Sequence, residues 1–171
     1  MAESLVHFFL GLFDNLNNIP HGKELIIFII SLMPILEIRG GLIAAAILGV
    51  KIVPAFIICL IGNLIPIPFI LWFITPIFNW LKKTKHMSKL VNKIENKAMN
   101  KKDKIEKAEF WGLFFFVGIP LPGTGAWTGS LIASLINMNK KKALVAATLG
   151  VLLAGFIVGT LSFGLLKGLV G

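Results

Sequence analysis

The feature that most constrains this chain is a glutamate and an arginine placed two residues apart inside a long apolar stretch. Glu37 and Arg39 are these residues, and Arg39 is the only arginine of the protein. Apolar runs flank them at residues 25–36 and 42–50. Charged side chains at membrane depth are costly, so they usually face a protein interior or a water-filled cavity and mark a functional site. Any fold of this chain must therefore enclose these two charges.

The composition indicates a membrane protein. Of the 171 residues, 56% are hydrophobic and the mean hydropathy is +0.86, whereas a soluble domain is about 45–50% apolar. The single cysteine, Cys59, excludes a disulfide within the chain. The net charge of +9 comes from lysines beside apolar segments, so anionic membrane lipids are the expected partner and nucleic acid is not.

The pattern over residues 25–50 predicts a re-entrant helical hairpin. Its two apolar arms have about 8–12 residues each, and a helix needs about 20 to cross a bilayer. Pro34 and the pair Gly40-Gly41 interrupt the apolar pattern between the arms, where Glu37 also lies. The alternative is one continuous span over residues 25–49, with both charges at its centre.

A second interruption predicts a second re-entrant hairpin at residues 110–139. Its turn is rich in proline and glycine, which favour irregular backbone over helix. We expect Pro34, Pro120, Pro122 and Gly129 to set the shapes of the two turns.

The remaining segments complete an all-α membrane fold, a single integral membrane domain over residues 1–171. Each hairpin is followed by a stretch long enough to form a transmembrane helix, and the first of these carries prolines that predict a break at residues 63–68. The segments are an N-terminal interfacial helix at 4–17, transmembrane helices at 52–81 and 143–167, and a basic amphipathic helix at 82–108.

Charge distribution selects the topology. If both hairpins re-enter, thirteen lysines, ten in residues 82–107 and three in residues 140–142, share one face. The positive-inside bias makes that face cytoplasmic and favours two hairpins over a chain in which every apolar stretch spans. We therefore expect a multi-pass membrane protein with that face toward the cytoplasm, and the family resemblance described below implies the bacterial inner membrane.

A short internal match supports an inverted repeat. The sequence from Gly40 to Ala45 resembles that from Gly129 to Ser134, and a lysine and a second apolar stretch follow each copy. One crossing separates the two hairpins, so they enter from opposite faces. Inverted repeats are common in transporters, whose sites lie near the midplane. We expect the functional site in the space between the two turns.

The two turns supply the candidate substrate-binding and ion-binding residues. Glu37 can pair with Arg39, accept a proton or hold a cation such as Na⁺, and the Arg39 guanidinium suits phosphate or carboxylate. Glycine amides and helix N-termini attract anions, and an aromatic ring can stack on a cation or line an apolar path. The candidates are Glu37, Arg39, Gly40, Gly41, Gly123, Thr124, Gly125 and Trp127.

No enzyme signature is present. The sequence has no nucleophile–base constellation, no Walker motif and no Cys/His spacing for a metal. We expect a non-enzymatic protein without cofactor or metal.

The two interrupted segments resemble the bacterial small multidrug export protein family. The resemblance rests on Met33-Pro34-Ile35-Leu36-Glu37-Ile38-Arg39-Gly40-Gly41 and on Ile119-Pro120-Leu121-Pro122-Gly123-Thr124-Gly125-Ala126-Trp127-Thr128-Gly129. Gly41 stands where the family pattern leads us to expect alanine. The family in turn resembles the DedA superfamily, which implies two opposed re-entrant hairpins and translocation of lipid phosphates.

Three functions follow as hypotheses. The first is a secondary, ion-coupled exporter of small molecules. The second is a translocase of anionic lipids such as polyprenyl phosphate or phospholipid. The third is a structural membrane subunit whose lysine-rich helix docks a partner. Whether the chain forms a homo-oligomer is left open.

Overall fold

The computed structural model describes residues 8, 11, 20–83, 85–99 and 109–170, with the backbone alone at 85–87, 97–99, 109 and 165–170. These residues form helices joined by short turns, and the described part of the chain contains no strand. The helices are α1 (Gly22–Leu32), α2 (Glu37–Ile47), α3 (Ile52–Leu64), α4 (Pro66–Leu81), α5 (Lys85–Met99), α6 (Glu109–Gly118), α7 (Ala126–Leu135) and α8 (Lys140–Val170).

The chain divides into two compact units. Unit 1 contains residues 1–65 and 151–171, and unit 2 contains residues 66–150. In unit 1, α1, α2 and α3 pack against one another. In unit 2, α7 is the central helix and packs against α4, α5 and α6.

Glycines bring the helices of unit 1 into backbone contact. A Cβ added at Gly62 in α3 would lie 2.8 Å from the Phe28 carbonyl oxygen and 3.2 Å from Ser31 Cβ, both in α1. A Cβ at Gly41 in α2 would meet the Ser31 hydroxyl and would lie 2.9 Å from Cys59 Sγ. Small residues permit this close approach, which replaces side-chain packing by backbone contact.

Unit 2 repeats this packing with different side chains. A Cβ added at Gly150 in α8 would lie 2.8 Å from the Phe114 carbonyl oxygen and 2.7 Å from Val117 Cβ, both in α6. A Cβ at Gly129 in α7 would lie 2.7 Å from Val117 Cγ2. Gly150 and Gly129 thus occupy the positions in unit 2 that Gly62 and Gly41 occupy in unit 1.

The second helix of each pair also ends in the same way. After α2, Gly49 is left-handed (φ 70°) and the Val50 N–H donates to the Ala45 carbonyl at 2.9 Å. After α7, Asn137 is left-handed (φ 55°) and the Met138 N–H donates to the Ala133 carbonyl at 2.9 Å. Both are the Schellman type of helix end. These contacts pair Gly41 with Gly129, which corrects by one residue the sequence match that paired Gly40 with Gly129.

The first interrupted segment forms two short helices, but the break is not where the sequence predicted it. The turn covers residues 33–36, and α2 begins at Glu37. Glu37, Arg39 and the Gly40-Gly41 pair therefore lie in a helix and not in the turn. Sequence alone misplaced the break because Gly40-Gly41 serves close packing here and does not end the helix. Each helix has 11 residues, or about 16 Å.

The second interrupted segment also forms two short helices, of 10 residues each. Its turn covers residues 119–125 and includes Pro120 and Pro122, as predicted. Gly129 was expected in the turn, and that placement is wrong, because Gly129 lies inside α7 and donates its N–H to the Gly125 carbonyl at 2.8 Å. It allows α7 to approach α6.

Two helical stretches are long and apolar enough to cross a membrane, at Ile52–Leu81 and Lys140–Gly164. The break expected in the first of them is found at Ile65, between α3 and α4. The predicted interfacial helix at 4–17 lies outside the described residues except for residues 8 and 11, which are helical. Of the predicted basic helix at 82–108, α5 is described, and residues 100–108 lie outside the described part.

We expect Gly62→Ala to lower the free energy of unfolding, because the added methyl group would press on a backbone carbonyl that cannot rotate away. Overpacking costs about 1–3 kcal/mol and alanine regains at most about 1 kcal/mol of helix propensity. The expected net loss is about 1–2 kcal/mol, measured by denaturant unfolding in detergent micelles.

The matched control is Gly159→Ala, where the nearest atom to an added Cβ is Leu42 Cδ1 at 3.9 Å. This variant should be as stable as the parent protein or slightly more stable. Equal stability of the two variants would contradict the backbone contact at Gly62.

Candidate functional site

The candidate site of unit 1 is built around Glu37, the first residue of α2. Its side chain is only 4% exposed, and its backbone is left-handed, with φ 53°. The Glu37 N–H donates to the Met33 carbonyl at 3.0 Å, which closes the turn. A left-handed conformation is costly for a residue with a Cβ, and such strain concentrates at functional sites. A buried carboxylate in a strained position is therefore the most unusual feature of this unit.

Arg39 lies two residues further along the same helix and is half-buried. Burial opposes the charged form of the Arg39 guanidinium, and the electrostatic attraction of the Glu37 carboxylate favours it. The two residues therefore place a pair of opposite charges at the start of α2. Such a pair is net neutral, and loss of either charge leaves the other uncompensated in a poorly solvated place.

Polar side chains lie close behind this pair. The Ser31 hydroxyl donates to the Ile27 carbonyl at 2.8 Å, inside α1. The buried Cys59 thiol lies 4.0 Å from the same carbonyl oxygen. Asn63, one helical turn further along α3, is fully buried, and neither its side-chain oxygen nor its nitrogen has a hydrogen-bond partner. An asparagine in an apolar helix usually makes an interhelical hydrogen bond, and the structure does not contain one for Asn63.

The turn of unit 2 is held by its threonine. Thr124 Oγ1 donates to the carbonyls of Ile119 at 3.1 Å and Leu121 at 2.8 Å. These contacts occupy carbonyls that follow the end of α6. Gly123 (φ 74°) and Gly125 (φ 138°) adopt backbone conformations that favour glycine. In this structure Thr124, Gly123 and Gly125 thus determine the shape of the turn.

The two turns differ in chemistry at corresponding positions. With Gly41 paired to Gly129, Glu37 corresponds to Gly125 and Arg39 corresponds to Trp127. Both residues have positive φ, 53° at Glu37 and 138° at Gly125, although the two values lie in different backbone regions. At these two pairs of positions, only unit 1 carries charged residues.

The expectation that glycine amides are open to a ligand is wrong for Gly40 and Gly129. The Gly40 N–H donates to the Leu36 carbonyl at 2.8 Å, and the Gly129 N–H donates to the Gly125 carbonyl. Both amides are already used within their helices. Gly41 is buried against Ser31 and Cys59, so its role in the structure is close packing.

Each unit contains an apolar cavity. In unit 1 a cavity of about 820 Å³ is lined by the end of α2, the start of α3 and residues 160–164 of α8, and Lys51 is the only charged residue in its lining. In unit 2 a cavity of about 450 Å³ is lined by α4 and Trp127. Trp127 lines this cavity together with Phe69, Phe73 and Ile77, which places this tryptophan in an apolar setting.

Sequence reasoning missed several buried hydroxyl groups. Thr75 Oγ1 and Ser134 Oγ are 2.9 Å apart between α4 and α7, and Ser130, one turn before Ser134, is fully buried without a hydrogen-bond partner. Each lies in an otherwise apolar helix. The four-residue spacing of Ser130 and Ser134 could have identified these two serines.

The basic helix α5 contacts the rest of unit 2 at two points. Lys82 Nζ and Glu95 Oε2 are 2.6 Å apart, and Val91 is buried where α5 packs against α7. Leu90 and Ile94 remain partly exposed, as do the lysines beside them. The helix is thus amphipathic as predicted, with one apolar side chain used within the protein.

Comparison with known proteins gives a single family. A family model described as "Putative small multi-drug export protein" matches residues 37–157, from the first residue of α2 into α8. No significant match to a curated protein or to a solved structure is found. The matched region is more than two thirds of the chain and includes α2 of the first helical pair and both helices of the second pair. The chain therefore belongs to the small multidrug export family, a family of membrane transport proteins, as the motifs around Glu37 and Trp127 had indicated.

Proposed function

We propose that this protein is a secondary transporter that carries a small organic anion across the membrane together with a proton. The observation that carries the proposal is the buried Glu37 at the strained start of α2, with the half-buried Arg39 of opposite charge two residues further along. Arg39 is the anion site, because a guanidinium offers five donors in a fork that fits carboxylate, sulfonate or phosphate. Glu37 is the proton site.

The two events are linked through charge. In the empty protein the Glu37 carboxylate compensates the Arg39 guanidinium. An anion that binds Arg39 takes over that role, so Glu37 becomes an uncompensated buried carboxylate and its affinity for a proton rises. By reciprocity, a proton on Glu37 raises the affinity of Arg39 for the anion by the same factor. The anion and the proton then cross the membrane together with no net charge, and the substrate gradient drives the transport.

The family description supports transport of small molecules and says nothing of their charge. A second candidate is translocation of a lipid phosphate, which uses the same arginine chemistry. The large apolar cavity of unit 1, with Lys51 as its only cation, favours this candidate because it could accept acyl chains beside a headgroup. An assay of labelled phosphatidylglycerol moving between leaflets separates the two: transfer of lipid without transport of a soluble anion would select the second.

We further propose that the two pairs of short helices are re-entrant hairpins that enter from opposite faces. None of α1, α2, α6 or α7 is long enough to cross a bilayer alone, since each has 10 or 11 residues and about 20 are needed. One candidate span, Ile52–Leu81, separates the two pairs. The shared glycine contacts support a repeat, and the lysine distribution supports its orientation.

We expect Glu37→Gln to abolish proton movement while leaving anion transport in place, because glutamine resembles the protonated acid and releases Arg39 permanently. The measurement uses proteoliposomes loaded with a membrane-impermeant aromatic sulfonate and an external pH indicator. The parent protein should acidify the outside as the anion leaves.

The matched control is Glu24→Gln, which removes the other carboxylate of the first helical pair, at the start of α1. It should retain acidification. Acidification by Glu37→Gln at the rate of the parent protein would exclude Glu37 as the proton site.

We expect Arg39→Lys to lower anion flux by about tenfold or more, because lysine keeps the charge but loses the bidentate contact, worth roughly 1.5–3 kcal/mol for a charged hydrogen bond. The flux is measured in the same vesicles. The reciprocal control Lys89→Arg, on exposed α5, should not change it. Full activity of Arg39→Lys would mean that no planar anion contact exists at this residue.

The topology can be tested by labelling single cysteines in intact cells with an impermeant maleimide. The background is Cys59→Ala, because Cys59 is fully buried. Exposed lysines are replaced one at a time, Lys51 after the first hairpin, Lys89 in α5 and Lys141 after the second hairpin.

Two opposed re-entrant hairpins require labelling at position 51 alone, because positions 89 and 141 then share the cytoplasmic face. Labelling at 141 without labelling at 51 or 89 would mean that the second helical pair spans the membrane, and the inverted repeat would be lost with it.

A further inference from the structure

Asn63 is the buried polar side chain that the proposed mechanism has not used. Its exposure is 0%, and both Oδ1 and Nδ2 are without a hydrogen-bond partner. It lies in a helix that is part of a candidate membrane span. An amide without partners in an apolar environment is costly, and native proteins avoid it unless something supplies the missing hydrogen bonds. We therefore expect the Asn63 side chain to gain a hydrogen-bond partner in another state of the protein.

Helix register places Asn63 at the depth of Glu37. A Cβ at Gly41 in α2 would lie 2.9 Å from Cys59 Sγ in α3, so these two residues are at one level. Residues 48–51 join α2 to α3, a connection short enough to make the helices antiparallel neighbours. Four residues back along α2 is Glu37, and four residues forward along α3 is Asn63. Because the helices are antiparallel, both four-residue steps run in the same direction along the helix axes, and each covers about 6 Å.

The chemistry of the amide selects one form of Glu37. A carboxylate only accepts hydrogen bonds, so it could satisfy Nδ2 but never Oδ1. A protonated carboxyl has one O–H donor and one carbonyl acceptor, and an amide has the matching acceptor and donor. A neutral Glu37 could thus satisfy both atoms of Asn63 at once, with Glu37 O–H donating to Oδ1 and Nδ2 donating to the Glu37 carbonyl oxygen.

We propose that Asn63 is the positioning residue that receives Glu37 when Glu37 takes up its proton. The inference rests on the proposed function, in which an anion on Arg39 releases Glu37 to be protonated. Glu37 then exchanges an electrostatic partner, Arg39, for a hydrogen-bonding partner, Asn63. The protonated state is held in place, and the proton is kept from returning to bulk water while the anion is bound.

Few other groups can act on this proton. On its own helix the other charged residue is Arg39, and on α3 the titratable group at this level is Cys59. The charges of α1, Lys23 and Glu24, lie at the other end of the helix, where Lys23 Nζ donates to the Leu48 carbonyl at 2.9 Å. The portion of α8 in unit 1 carries no titratable side chain from Val151 to Gly164.

Infrared difference spectroscopy on the full-length protein in lipid nanodiscs tests the pairing directly. Acidification, with benzenesulfonate present to occupy Arg39, should produce a carboxylic C=O stretch that Glu37→Gln removes. In Asn63→Leu that band should shift to higher frequency, because the carbonyl loses the donor Nδ2. The control Ser130→Ala, which removes another buried hydrogen-bonding group without a partner, should leave the band in place.

A second measurement does not depend on the folding of the Asn63 variant. With asparagine carbonyls labelled with carbon-13, the parent protein should show an asparagine C=O change on acidification that is absent in Glu37→Gln. A carboxylic band without the Asn63→Leu shift and without the labelled signal would overturn the pairing and leave the proposed function standing. Absence of any band that Glu37→Gln removes would overturn the proton role of Glu37 and the pairing with it.

Discussion

The structure of each unit depends on direct contact between a glycine in one helix and a backbone carbonyl in another. Gly62 brings α3 against the Phe28 carbonyl, and Gly150 brings α8 against the Phe114 carbonyl. Apolar side chains gain little by leaving lipid for a protein interior, so helix association in a membrane relies on close packing and hydrogen bonding. Glycine at these contacts permits the closest approach, and a half-length helix needs it most because it has few turns over which to accumulate contacts.

Corresponding glycine contacts occur in the two units, with different chemistry beside them. Unit 1 carries Glu37 and Arg39 where unit 2 carries Gly125 and Trp127, and the residue after Gly62 is Asn63 where the residue after Gly150 is Val151. The polar hydroxyls of unit 2, Thr75 and Ser134, satisfy each other. Charge is thus concentrated at the start of α2. Because unit 2 forms the corresponding glycine contacts without these charges, the charges of unit 1 point to chemistry.

The sequence predicted that there are two pairs of short helices and two long apolar stretches, because those features follow from length and from proline. Pro120 and Pro122 cannot sit inside a helix without breaking it, and the second turn lies at them. The exact helix starts could not be predicted, because Gly40, Gly41 and Gly129 resemble helix breakers in sequence and are packing residues in the structure. That distinction depends on a neighbouring helix, which no local pattern contains.

The sequence predicted the charged residues of the candidate site but not the groups around them. Glu37 and Arg39 stand out in any apolar sequence. Their electrostatic coupling could be anticipated only as one alternative, because residues two apart point apart on a regular helix. The lack of hydrogen-bond partners at Asn63 could not be anticipated, since an asparagine in an apolar helix usually has a partner. Only the register set by Gly41 and Cys59 relates Asn63 to Glu37 in depth. Side-chain identity therefore revealed the charges, and the helix packing revealed what surrounds them.

The backbone at Glu37 argues that this carboxylate is kept for function and not for shape. The backbone has a positive φ at Glu37, and the corresponding residue of unit 2, which also has a positive φ, is Gly125 and bears no steric cost. A non-glycine residue there costs about 1–3 kcal/mol, and burying its charge costs more. Glycine would relieve both penalties and leave the turn intact. A chain that bears them instead holds a carboxylate beside its only arginine, which is what a proton-linked anion site requires.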